Sequence, residues 1–127
     1  PWGYELWITG KNNRDLCLKK IFIKSGNKTS LQYHKLKREV NFLYEGKANL
    51  HFYTKKFNER KFQINLIKKK LVKEGEYISI NPFTVHRLES ITNITLYEVS
   101  TPHLDDVIRL ADDTNRKNGK IISEHKK

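Results

Sequence analysis

Short runs in which β-branched and aromatic residues alternate with polar ones recur along the chain. They are YELWIT (4–9), DLCLKKIFIK (15–24), SLQYH (30–34), EVNFLY (39–44), KANLHFYT (47–54), KFQINLI (61–67), EYISI (76–80), TVHRLES (84–90) and NITLYEVS (93–100). A two-residue period over four to ten positions predicts strands, and the turn signals between them (GKNN at 10–13, SGNK at 25–28, EG at 45–46, EG at 74–75, NP at 81–82) have the spacing of a sandwich or barrel. Within the second run, Leu16 and Leu18 are followed by Ile21 and Ile23, and this change of phase across Lys19-Lys20 predicts a bulge or bend. Past Ser100 the pattern changes: Thr101-Pro102 stops the last long strand, and HLDDVIRL suggests a short helical turn before a polar tail. The reading is an all-β body over residues 1–103 and a C-terminal arm over 104–127, packed through Leu104, Val107, Ile108 and Leu110.

The length of 127 residues, with 37% hydrophobic content, suffices for one core. Cys17 is the sole cysteine, which excludes an internal disulfide and a thiolate metal cluster. No run of about eighteen apolar residues offers a membrane span, and PWGYELWITG lacks the basic and apolar regions of a signal peptide, so the expected compartment is the cytoplasm. A net charge of +11 favours anionic partners without naming one. Most lysines read as solvated surface, with local clusters at 68–70 and from Arg116 to Lys127.

Candidate chemistry sits in SLQYHKLKREVNFLYEG, residues 30–46. Positions two apart on a strand share a face, so Gln32 and His34 can point together into a barrel mouth, and Glu39 follows a short turn on the next strand. His86, in NPFTVHRL, is a fourth donor from a distant part of the chain. One amide carbonyl, two imidazoles and one carboxylate suit zinc, iron, manganese or another first-row divalent ion, with coordination room left for water or substrate. Each of these residues alone has an ordinary structural reading; their joint spacing carries the weight.

The spacing His34-x4-Glu39-x6-Gly46, then Gly75-x6-Pro82-x3-His86, resembles the two motifs of the cupin superfamily, whose fold is a double-stranded β-helix or jelly-roll barrel. More narrowly, PWGYELW, SLQYH, EGEYISINPFTVHRL and LYEVSTPHLDDVIRLADDTNR resemble the cupins of the mannose-6-phosphate isomerase type and their single-domain sugar-phosphate relatives, from Trp2 to about Arg116. The resemblance implies a divalent metal, zinc first, with iron, manganese, cobalt or nickel as alternatives, held by Gln32, His34, Glu39 and His86. It departs from many cupins at Leu36, where a second histidine would stand.

Chemistry on a sugar phosphate also needs a base for a carbon-bound proton and cations for the phosphate. Glu98, Arg87 and His51 are the catalytic candidates, and Lys37, Arg109 and Tyr53 the substrate-binding ones. Asp105, Asp106, Asp112 and Asp113 read as residues of the arm, without a catalytic role. The implied function is a metal-dependent aldose–ketose isomerase acting on a phosphorylated or nucleotide-linked sugar. The alternative is a non-catalytic sugar- or metabolite-binding cupin partnering another carbohydrate enzyme. A nucleic-acid barrel is the less favoured third class: it requires Phe42, Tyr44, Phe52 and Tyr53 on an exposed basic face and gives the four donors no reason to converge. Unpaired edges near the N-terminus make a homodimer the expected assembly.

Overall fold

Because successive side chains on a strand point to opposite faces, the two-residue period sorts the chain into two sheets with a shared interior. A computed structural model describes residues 1–10, 15–103, 105–111 and 119–120. Its strands are Gly3–Trp7 (β1), Cys17–Ile23 (β2), Leu31–Tyr33 (β3), Glu39–Glu45 (β4), Lys47–Lys56 (β5), Lys68–Lys73 (β6), Tyr77–Ile80 (β7), Thr84–Ser90 (β8), Ile94–Ser100 (β9), Ile108–Ala111 (β10) and Gly119–Lys120 (β11). The first sheet runs β1-β2-β9-β4-β7 and the second β11-β10-β3-β8-β5-β6, with antiparallel neighbours throughout.

Between the sheets lies a core that includes Ile23, Leu43, Leu50, Val72, Ile94 and Leu96. Full burial of such a side chain contributes roughly 1.5–3 kcal/mol, which fixes the strand register because a one-residue slip would turn the whole set outward. A second cluster packs on the outer face of the second sheet, where Leu31, Tyr33, Tyr53 and Val85 meet Phe57, Phe62 and Ile67 from the β5–β6 connection. That sheet is therefore covered on both sides.

The structure departs from the sequence reading in three places. There is no bulge at Lys19-Lys20: β2 stays in register with β1 from Gly3↔Ile23 to Trp7↔Lys19 and with β9 from Cys17↔Ser100 to Ile23↔Ile94. The inward set is Cys17, Lys19, Ile21 and Ile23, so Lys19 takes a core position and Leu16 is exposed. The strand expected over 61–67 is instead a connection with a 3-10 turn at Ile64–Leu66, and the strand falls on Lys68–Lys73. Its residues are exposed except Val72, as suits a lysine-rich edge that discourages pairing with other chains.

Past Ser100, no helical turn forms among the described residues of HLDDVIRL. Ile108–Ala111 is a strand paired with β3 through Ile108↔Tyr33 and Arg109↔Gln32. Ile108 and Leu110 join the outer cluster, whereas Val107 is buried against the interior. Leu104, Asp112, Asp113 and the basic tail from Arg116 to Lys127, apart from Gly119 and Lys120, lie outside the described residues.

Candidate metal centre

A cavity of about 380 Å³ opens between the sheets beside the apolar core. Gln32 on β3, Glu39 at the start of β4, His86 on β8, Glu98 on β9 and Arg109 on β10 all line it, with His34 and Lys37 from the β3–β4 turn. Register explains the convergence on the second sheet: Gln32 stands opposite both His86 and Arg109, so the three share a face.

Ligand atoms of His34, Glu39 and His86 lie within 4.8 Å of one another, and all three residues are buried. His34 Nε2 is 2.8 Å and His86 Nε2 3.6 Å from Glu39 Oε1. The other ring nitrogens settle the tautomers. His34 Nδ1 is 2.6 Å from the Asp106 carbonyl and His86 Nδ1 is 2.8 Å from the Thr84 carbonyl. A carbonyl only accepts, so both Nδ1 atoms carry the hydrogen, and in a neutral ring Nε2 then presents its lone pair to the carboxylate. Acceptors brought this close repel unless a cation, either a proton or a metal, lies among them. Burial, only partly offset by the Glu39 charge, pulls His86 down to about 4, so this ring is neutral at pH 7 and does not bring a proton. The donor set fits a divalent metal, with the Nδ1–carbonyl bonds holding both rings in ligating orientation.

Glu39 is itself tuned by its neighbours. Burial would raise its pKa, but Lys37, His34 and the other groups around it outweigh burial and hold it well below the usual carboxylate range. Its second oxygen accepts a hydrogen bond from Asn41 Nδ2 at 2.9 Å. The turn that joins His34 to Glu39 is pinned from across the sheet. The Asp106 carboxylate accepts hydrogen bonds from the amides of Lys35 (3.1 Å), Leu36 (2.5 Å) and Lys37 (2.9 Å). Burial opposes ionisation of Asp106, yet these amides prevail and lower its pKa. Leu36, at the place of the missing histidine, faces solvent.

Beside the trio runs a buried chain of alternating charge. Lys37 Nζ lies 3.1 Å and Lys19 Nζ 3.8 Å from Glu98 Oε2, and Lys19 also reaches Glu5 Oε1 at 3.5 Å. Lys19 Nζ sits 4.7 Å above the Trp7 ring, a cation–π contact. Burial, reinforced by Glu39, pushes Glu98 up to about 7 against the pull of Lys37 and Lys19. Burial would lower Lys37, but Glu98 and Glu39 more than compensate and raise it. Glu98 is thus a cavity carboxyl whose proton is exchangeable near neutrality.

Seven sequence candidates therefore meet in the cavity: Gln32, His34, Lys37, Glu39, His86, Glu98 and Arg109. Gln32 is half-buried, and its Oε1 accepts a hydrogen bond from Ser30 Oγ at 2.8 Å. Three candidates lie elsewhere. Inward positions on β5 and β8 are Leu50, Phe52, His86 and Leu88, so His51, Tyr53 and Arg87 point to the outer face. There His51 bonds Glu89 at 2.9 Å, Arg87 Nε donates to the Thr29 carbonyl at 3.0 Å, and Tyr53 packs edge-on against Phe62. These three do not line the cavity. Lys19, Glu5 and Asp106 went unassigned in the sequence; for Lys19 the missed signal was the unbroken inward phase Cys17-Lys19-Ile21-Ile23.

No family model and no curated protein matches the chain. Solved structures do. CapF with the inhibitor 3-isopropenyl-tropolone superposes with a TM-score of 0.70 at 17% identity over 87% of this chain and 32% of that one. KdgF from Halomonas sp. gives a TM-score of 0.65 at 10% identity, covering 81% of this chain and 82% of its own. A cupin-like protein from Thermotoga maritima gives 0.64 at 17% identity, covering 87% and 76%. This chain spans about a third of the CapF chain. At such identities the likeness is one of fold, and the fold is the cupin double-stranded β-helix.

Proposed function

We propose that this chain is a metal-dependent cupin enzyme that shifts a proton between neighbouring carbons of a phosphorylated or nucleotide-linked sugar, in the manner of an aldose–ketose isomerase. The supporting observation is the pair of tautomer-fixed histidines directed at Glu39 in the same cavity as Glu98. His34, Glu39 and His86, with Gln32 as the fourth candidate, would hold the ion. A bound divalent ion supplies Lewis-acid polarisation of a carbonyl and its adjacent hydroxyl.

Glu98 is the proton carrier in this reading. Its carboxyl, poised near 7, takes the carbon-bound proton and returns it to the neighbouring carbon, and Lys37 at 3.1 Å stabilises its charged form. Arg109, buried on β10 opposite Gln32, offers the planar fork suited to phosphate oxygens, and Lys37 adds a second positive charge. A cavity of about 380 Å³ lies in the range of small-ligand sites. Work in the cytoplasm on surface-polysaccharide or sugar-nucleotide precursors is the setting this activity implies.

A second reading, a binding module without turnover, draws support from the pairing of Lys19 and Lys37 with carboxylates, which leaves fewer cations for a phosphate. The test is reconstitution with zinc, manganese or iron, then incubation with hexose and heptose phosphates and sugar nucleotides in heavy water. We expect about one metal per chain, lost in His86→Ala, and deuterium entering the carbon beside the carbonyl. In Glu98→Gln the metal should persist while exchange falls at least ~100-fold. Protein that takes up no metal removes the enzymatic reading; metal without exchange leaves the binding module.

A further inference from the structure

Among the described residues, Phe83 is the one residue other than glycine with a positive φ, at +63°. A bulky L-residue is strained in this left-handed region, where glycine or asparagine is the usual occupant. The strain sits in a β-turn over residues 81–84. The Thr84 amide donates to the Asn81 carbonyl at 3.3 Å, with Pro82 at the second place of the turn and Phe83 at the third. In turns with a left-handed third residue, proline is common at the second place and glycine is the rule at the third. The turn therefore accounts for the φ and leaves the phenylalanine to be explained.

The main chain of this turn serves the metal centre. The Phe83 amide donates to the His34 carbonyl at 2.6 Å, and the Thr84 carbonyl accepts the Nδ1 hydrogen of His86 at 2.8 Å. One four-residue turn thus touches both histidines of the trio. The Phe83 ring goes the other way, onto the outer cluster, where it stacks on Tyr33 with centroids 6.0 Å apart at 26°. Tyr33 stacks in turn on Phe57 at 4.4 Å, and the Phe57 amide donates to the Phe83 carbonyl at 2.7 Å. Glycine would keep the turn and its hydrogen bonds but would have no ring to seat against the second sheet. We propose that Phe83 is a positioning residue of the metal centre: its ring, clamped on Tyr33, holds the left-handed turn against the sheet, so that the His34 and His86 rings are aligned before an ion arrives. This rests on the metal reading above. The strained backbone persists because the clamp removes slack that an unanchored turn would pass on to both ligands.

Phe83→Gly tests this, because it relieves the backbone while releasing the clamp. With the full chain shown to be folded by circular dichroism, zinc affinity measured by competition with a chelating dye should fall at least ~10-fold. The visible absorption of the cobalt(II)-loaded protein, which reports ligand geometry, should shift as well. Phe83→Tyr keeps the ring, and its hydroxyl can reach solvent from this half-buried position, so it should restore both affinity and spectrum. If Phe83→Gly fails to fold, Phe83→Asn, which also tolerates the left-handed region and lacks the phenyl ring, replaces it with the same expectation. A folded variant without the ring that keeps wild-type affinity and spectrum overturns the proposal, as does Phe83→Tyr behaving like Phe83→Gly. Wild-type protein that takes up neither zinc nor cobalt overturns the metal reading and this inference with it, a result distinct from an unchanged variant.

Discussion

At the scale of single residues, the decisive feature is that neighbouring acids are driven in opposite directions by their surroundings. Glu98 is raised from 4.5 to about 7, chiefly by burial, so the folded chain holds this proton where the unfolded chain has released it. Stability from this group is fully present below about 4.5 and is lost as pH rises through about 7. Glu39 is lowered and acts the opposite way: its contribution is present above the ordinary carboxylate value and disappears as pH falls through its depressed one. In metal-free protein, Glu98→Gln should therefore flatten the decline in urea midpoint across the upper window while leaving the acid limb governed by Glu39. An unchanged slope would show that Glu98 does not titrate there. The sequence disclosed the trio through spacing but hid Lys19, because a strand lysine reads by default as surface. Here the ammonium is accommodated by Glu5, Glu98 and the Trp7 ring, an environment assembled from three strands. His51 and Tyr53 misled for a related reason: β5 is buried on both faces, so its pattern did not reveal which side met the cavity.

At the scale of elements, the turns position the site. Asp106→Ala should remove three amide hydrogen bonds from the turn between His34 and Glu39, at a cost of roughly 2–3 kcal/mol seen as a lower urea midpoint. Metal affinity should fall about 10–100-fold, measured by competition with a chelating dye, since loosening ligand supports has effects of that size. Because the Asp106 pKa is depressed, its stabilising share is present above 3.8 and fades as pH falls below it. Gly46 closes the β4–β5 hairpin at φ +95, and a Cβ there would stand 2.3 Å from the Asn93 carbonyl oxygen. Gly46→Ala combines a left-handed backbone with a collision against main chain, and should destabilise by roughly 2–4 kcal/mol in thermal or urea unfolding. Both the Gly46 turn and the hairpin around it were legible in the sequence. The strand at Lys68–Lys73 was not, because a lysine-rich edge carries almost no hydrophobic alternation, and neither was β10, whose apolar residues fit a helical period as well as a strand one.

At the scale of the whole molecule, the metal reading makes a thermodynamic statement. An ion that binds the folded cavity and not the unfolded chain should add about 2.7 kcal/mol at one hundred times its dissociation constant. The melting temperature should rise with metal concentration and return on addition of chelator; a flat response contradicts a folded-state site. The assignment of faces has a further result. The chain pads one sheet with its own Phe57, Phe62 and Ile67 and leaves outward side chains of the other, Tyr77, Leu6 and Phe42 among them, in solvent. An environment-sensitive dye drawn to apolar patches should therefore brighten on the folded chain, and less so in Tyr77→Ser.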